Sequence, residues 1–151
     1  MIDDVGTRRI TAFSGTRLGA ARQARGWSRG RLAVQLDVSV STVAAWERGD
    51  NAPEPPSIAA LASALDIDAA DLLDTAPDTW TLVELRAVIG LRQIDAAREL
   101  QIQTDRLGRL ELGYERVDPR TRAAMARLYG VDEPAVDACW QRGRDRLTAD
   151  S

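Results

Sequence analysis

Residues 27–49, WSRGRLAVQLDVSVSTVAAWERG, decide how this chain folds. Apolar residues recur at Leu32, Ala33 and Leu36, and again at Val43 and Trp46, the spacing of two short helices that each bury one face. Ser28 and Ser39 stand just ahead of the two segments, where a hydroxyl accepts from a free amide of the first helical turn. Residues 37–39 are left to turn the chain between them, and Gly49 supplies a left-handed stop for the second. The predicted elements are a helix over 29–36 and another from 40 to about 48.

The helical pattern extends both ways from this stretch. Residues 16–25 read as a preceding helix ended by Gly26. Pro56 sits in the first turn of a fourth helix running to Leu65, and Asp68 caps a fifth running to Leu73. The chain then repeats itself. Sliding it by 64 positions aligns Leu18–Leu73 with Leu82–Asp137 without a gap, and twelve of the 56 pairs are identical. They include Arg22/Arg86, Gly26/Gly90, Glu47/Glu111, Gly49/Gly113 and Pro55/Pro119. A period of 64 is too long for a solenoid unit and suits one minimal helical domain. In the second copy Thr81 with Glu84 forms a capping box, Asp118-Pro119 opens the fourth helix, and Asp132 with Pro134 opens the fifth. Nothing alternates with period two, so strands are not expected. The expected architecture is all-α, with two tandem five-helix domains over 1–76 and 77–151, the first preceded by a basic arm and the second followed by a tail.

Charge is distributed in blocks. The net charge is −3, yet from Val5 to Leu36 there are seven arginines and no acid. From Gly49 to Leu85 the pattern inverts to eight acids and no basic residue, and a second arginine-rich stretch follows, including Arg106, Arg109, Arg116, Arg120, Arg122 and Arg127. Such asymmetry is a better guide to partners than the sum. The alternative is that both runs are solvated faces of ordinary helices.

The 151 residues contain no histidine and one cysteine, Cys139. This excludes histidine-ligated metallohydrolases and histidine-based triads, and leaves Cys139 without a histidine to activate it. No glycine-rich phosphate loop is present, so no enzyme activity, no cofactor and no metal are expected. The longest apolar run, Ile58–Ala62, is far too short to span a bilayer. The N-terminus lacks the basic-then-apolar order of a signal peptide, so the expected compartment is the cytoplasm, with no membrane partner.

The segment 27–49 resembles the helix-turn-helix of the phage repressor and Cro family, also called the xenobiotic-response-element-like family. The resemblance rests on Leu32-Ala33, Leu36, Val38, Ser41-Thr42-Val43 and Trp46-Glu47-Arg48-Gly49, and it covers nearly all of residues 16–73. Leu91–Gly113 is similar to it as a divergent copy. That copy keeps Gln93, Ala97, Leu100, Ile102, Leu107 and Leu110 to Gly113, but departs at Arg92, where a capping serine is expected, at Ala96 and at Leu112. The resemblance implies two repressor-like (lambda-type) domains in which the second helix crosses the phosphate backbone and the third lies in the major groove. It also implies that Arg22 pairs with Glu47 and Arg86 with Glu111 as scaffold features, and that Ala33 and Ala97 are small because two helices pack there.

The family pattern places Val40, Ser41, Ala44 and Ala45 toward the groove, with Ser39 as cap and Arg48 at the helix end. Valine and alanine cannot hydrogen-bond a base edge, though they can meet thymine methyls. Specificity then leans on Ser41, on Arg29 and on DNA shape. Arg31 is a further phosphate candidate, and Arg8 and Arg9 form either an arm reaching a neighbouring groove or a plain basic tail. In the second copy Gln103, Thr104, Asp105 and Arg109 hold the groove-facing places, and Gln93 stands where relatives touch phosphate. Arg109 suits guanine, whereas Asp105 repels phosphate, so a non-binding second copy competes with a binding one. Trp27 and Trp46 read as core; Trp80 and Trp140 read as packing between domains or subunits.

Two function classes remain. One is a sequence-specific regulator of bacterial transcription, a repressor-type protein whose partner is double-stranded DNA and which acts as a homodimer, because half-sites about 34 Å apart suit a two-fold axis. The other is an adaptor or antitoxin-like module that takes a protein partner through the second domain.

Overall fold

In the computed structural model, which describes residues 12–149, the chain is all-helical: nine α-helices and two short 3-10 turns, with no strand among the described residues. The helices are α1 (Gly15–Ala24), α2 (Arg29–Leu36), α3 (Val40–Arg48), α4 (Pro55–Leu65), α5 (Leu82–Val88), α6 (Gln93–Leu100), α7 (Thr104–Leu112), α8 (Pro119–Tyr129) and α9 (Glu133–Ala149). The 3-10 turns are Ala69–Leu72 and Pro77–Thr79. The described residues form two compact units, 12–76 with 87–90 and 77–86 with 91–149.

The helix starts are chemically legible. Ser28 Oγ accepts from the Arg31 amide at 3.0 Å, Ser39 Oγ from the Thr42 amide at 3.1 Å, and Asp118 from the Thr121 amide at 2.8 Å. Pro55 and Pro119 occupy first-turn positions, where the missing amide costs nothing. Thr81 and Glu84 cap α5: the Thr81 amide donates to Glu84 Oε1 at 2.8 Å, and the amide reaching Thr81 Oγ1, at 3.3 Å, is that of Val83. Arg92 and Gln103, heading α6 and α7, make no such side-chain cap.

The helix ends are equally regular. Left-handed residues occur at Gly26, Asp37, Gly49 and Asp66, and at Gly90, Gln101, Gly113 and Gly130. Each of the second four lies 64 positions after its counterpart. Asp37 and Gln101 are the turn residues between α2 and α3 and between α6 and α7, with φ of 56° and 58°. Aspartate tolerates this conformation better than glutamine, because its short side chain bonds locally.

In the first unit the core joins Leu18, Leu32, Val43, Ile58, Leu61, Leu65, Leu72 and Leu73, with Trp46 at its edge. In the second it joins Leu82, Leu107, Leu110, Met125, Val136, Cys139 and Trp140. Ala33 and Ala97 are buried where α2 meets α3 and α6 meets α7. A larger side chain there would push the helices apart, at about 1–3 kcal/mol.

Three features differ from the sequence reading. The fifth helix of the first unit is a single 3-10 turn. Leu73 leaves it in extended conformation and bridges to Phe13, with Ser14 donating to the Leu72 carbonyl and Asp74 to that of Ala12, both at 2.8 Å. Pairing with residues 12–14 therefore competes with helix propagation and wins. The fifth helix of the second unit, α9, instead runs for 17 residues. Trp140 does not wait for a neighbouring subunit: its indole donates to the Glu115 carbonyl at 2.8 Å, and Arg116 lies over its ring. Trp80 is buried, and its carbonyl accepts from Arg142 at 2.9 Å.

One ion pair organises each unit. Arg22 forks onto Glu47, Nε to Oε2 at 2.6 Å and Nη2 to Oε1 at 3.0 Å, while Nη1 donates to the Trp27 carbonyl at 2.8 Å. Arg86 repeats this on Glu111 (2.6 and 3.2 Å) and on the Leu91 carbonyl (3.0 Å). A single guanidinium thus ties α1 to the end of α3 and to the chain entering α2, and its counterpart ties α5, α7 and the entry to α6. The side chains are 9% and 6% exposed in the first pair and 4% and 1% in the second.

Removing one partner strands a buried charge, so Glu47→Ala and Glu111→Ala are each expected to destabilise the chain by about 3 kcal/mol. Urea unfolding followed by tryptophan fluorescence checks this, and unchanged midpoints would show that the pairs do not matter. Burial pushes the Glu47 carboxyl up, but the bonds from Arg22 and Arg29 prevail and hold it below the usual glutamate range. A depressed acid stabilises above its unfolded value and stops doing so as pH falls through its folded value. The contribution of Glu47 should therefore persist at neutral pH and fade below about pH 4.5, and Glu47→Gln should flatten that part of the acid-unfolding curve.

Candidate nucleic-acid interface

The α2–turn–α3 segment presents one continuous stripe to solvent. Residues at i, i+4 and i+7 share a helix face, so Val40, Ser41, Ala44, Ala45 and Arg48 lie together along α3. Val40 is 51% exposed, Ser41 and Arg48 are exposed, and Ala44 and Ala45 are half-buried. Ser39 is the hub of a small hydroxyl network. Its Oγ takes the Thr42 amide and shares hydrogen bonds with Ser41 Oγ at 3.0 Å and Thr42 Oγ1 at 2.8 Å. Arg48 turns back onto Asp50, Nε to Oδ2 at 3.0 Å.

The basic residues around this stripe behave differently from one another. Arg29 is half exposed, and its Nε donates to Glu47 Oε1 at 3.0 Å, making it the second guanidinium on that carboxylate. Arg31 is exposed and stacks over the Trp27 ring at 4.6 Å, with Arg25 over the same ring at 5.0 Å. Trp27 is therefore half-buried, a platform for two cations as well as a junction residue. Arg17, in the first turn of α1, is exposed and, like Arg31, has no carboxylate partner among the described residues. Sequence reasoning left Arg17 out of the site, because nothing local distinguishes it from any surface arginine. It also missed Asn51, which with Ser41, Ala45 and Ser57 lines a shallow open depression of about 490 Å³ beside α3. Arg8 and Arg9 lie outside the described residues.

The second unit has the same helices with other chemistry. Gln93 is not at the surface, contrary to expectation: it is 4% exposed and its amide donates to Glu111 Oε1 at 2.8 Å. It takes the place that Arg29 holds in the first unit, but its side chain is buried where that of Arg29 is half exposed. Gln103 and Asp105 are exposed at the start of α7, and Thr104 is half-buried. Arg109 is exposed but donates to Glu115 at 3.3 Å. Arg106 is clamped between Glu115 at 2.6 Å and Asp118 at 2.7 Å, and both Arg92 and Arg98 pair with Asp95. The bonds from Arg106 and Arg109 hold the Glu115 carboxyl below the ordinary range. The Thr121 amide, then Arg106, bring Asp118 down to about 2.

Charge follows the same division. Residues 15–54 carry six arginines against four acids, and the corresponding 79–118 carry six against seven. Among the described residues the first unit therefore offers an exposed stripe with Arg17 and Arg31 unpaired nearby, and the second offers a helix whose arginines are already paired with carboxylates.

Among the described residues no group of three or more histidine, cysteine, aspartate or glutamate side chains is placed to hold a metal ion, and no helix is long and apolar enough to cross a membrane. No curated protein and no solved structure matches the chain. Residues 18–72, from α1 through the 3-10 turn that closes the first unit, match the family model for the helix-turn-helix, a DNA-binding domain of the xenobiotic-response-element type.

Proposed function

We propose that this chain is a sequence-specific regulator of transcription, cytoplasmic and not an enzyme, that binds double-stranded DNA through the first unit. The observation that carries the reading is the solvent-facing stripe of α3. It is held by the buried Arg22–Glu47 pair at a fixed setting against α2, and Arg17 and Arg31 stand in the first turns of α1 and α2 without carboxylate partners among the described residues. In such a unit the third helix enters the major groove and the flanking basic groups hold the phosphates. Ser39, Val40, Ser41, Ala44 and Ala45 would face base edges, with Arg31, and Arg8 and Arg9 ahead of it, toward the backbone; Arg29 and Arg48 would join them by giving up Glu47 and Asp50. Binding-site selection with the full chain tests this, and failure to enrich any sequence would sink it.

Each phosphate contact releases counterions, so affinity should fall by about 0.9 log unit per log unit of salt for each one. Arg31→Ala and Arg17→Ala should each lower that slope by roughly one while weakening all sequences alike. Titrations at several salt concentrations give the slopes, and unchanged slopes would place both arginines away from the duplex.

The second unit is best read as a divergent copy that serves a protein partner or the dimer rather than the groove. Four left-handed residues at the 64-residue offset support the copy, and the paired arginines of α6 and α7 support the loss of DNA contact. The boundary at 76/77 then separates a DNA-reading domain from an interaction domain. Arg109→Ala in the full chain should leave affinity within about twofold and the selected site unchanged in length; a shortened site would mean that α7 reads DNA. A homodimer binding a two-fold symmetric site follows from the need for half-sites one helical turn apart. Sedimentation should give twice 16.5 kDa, and a monomer on an asymmetric site would overturn it.

A further inference from the structure

The major groove offers two kinds of information, hydrogen-bonding groups on the base edges and the 5-methyl group of thymine. The stripe of α3 is poorly equipped for the first kind. Ser41 Oγ is engaged with Ser39, Arg48 is bound by Asp50, and Arg29 is bound by Glu47. No amide side chain stands on α3 between Val40 and Arg48. What the stripe does present is aliphatic. Val40 opens the helix with half its surface in solvent, at the end that meets base edges in this motif. Ala44 follows one turn later on the same face, and with Ala45 keeps the helix slim enough for close approach.

Resting on the DNA-binding reading above, we propose that α3 identifies its site through the 5-methyl groups of pyrimidines, met by Val40 and Ala44, and not through hydrogen bonds to base edges. The same chemistry would accept 5-methylcytosine at a thymine position. Val40 is exposed and contributes little to the core, so Val40→Ala leaves the fold intact and makes a usable control.

The test takes the sequence selected by the full chain and replaces each thymine of a half-site in turn with deoxyuridine, which keeps every hydrogen-bonding group and removes the methyl. At one or two positions the dissociation constant of the parent should rise about fourfold, the worth of one buried methyl group. In Val40→Ala that penalty should disappear at the position Val40 meets. There, a 5-methylcytosine·guanine pair should bind the parent about fourfold tighter than an unmethylated cytosine·guanine pair. Equal affinity for thymine and deoxyuridine sites overturns the proposal, and an equal penalty in parent and Val40→Ala overturns the role of Val40. Absence of any salt-dependent duplex binding is a different failure, seen before sites are compared, and it overturns the DNA-binding reading together with the proposal.

Discussion

A carboxylate at the end of a short helix is a poor thing to bury, because it loses water on every side. In both units it is buried nonetheless, since one arginine returns two hydrogen bonds to it and spends its remaining amine on a backbone carbonyl five residues downstream. Helices of seven to ten residues, such as α1, α3, α5 and α7, are marginal on their own in water. They persist because tertiary packing supports them, and the Arg–Glu fork adds direction to that packing. A purely apolar contact would tolerate sliding; a bidentate pair between α1 and α3 sets their register and, through Trp27, the entry of α2. The solvent-facing stripe of α3 has a defined setting for this reason.

The second partner on each carboxylate marks the difference between units. Arg29 leaves the first cluster with a spare positive charge at a half-exposed position; Gln93 leaves the second neutral and closed. Around α7 the same tendency continues, with Glu115 and Asp118 taking up Arg106 and Arg109. A helix whose arginines already have carboxylate partners must break those pairs before it can hold phosphate, and the acids left behind would repel the duplex. The two units in this way set matching helices in different charge surroundings.

Much of this was legible in the sequence. The caps at Ser28, Ser39 and Asp118, the stops at Gly49 and Gly113, the prolines opening α4 and α8, and the matched Arg–Glu positions all depend on local chemistry or on a resemblance dense in such positions. The exposure of Val40 and Ser41 also followed, because helical period alone assigns faces once the buried residues are known. The burial of Gln93 was not legible, for the opposite reason. Its place in the motif suggested phosphate, but whether a side chain at that turn reaches outward or inward depends on whether a buried acceptor is within reach.

Local order, then, was determined by the sequence itself: where helices begin and end, which face is apolar, and the offset of 64 residues between matching stops. These depend on neighbours within about one turn of the chain. Tertiary structure alone decided the rest. Extended pairing of Leu73 with Phe13 cut the fifth helix of the first unit to a 3-10 turn, while α9 ran on along α7, where glycine at 113 and 143 admits its backbone. Tertiary contact also decided which arginines meet a carboxylate and which have none beside them among the described residues. Arg48, Arg106 and Arg109 look alike in the sequence to Arg17 and Arg31. What separates them is the position of an acid two to twelve residues away, and only the folded chain brings that acid within 4 Å.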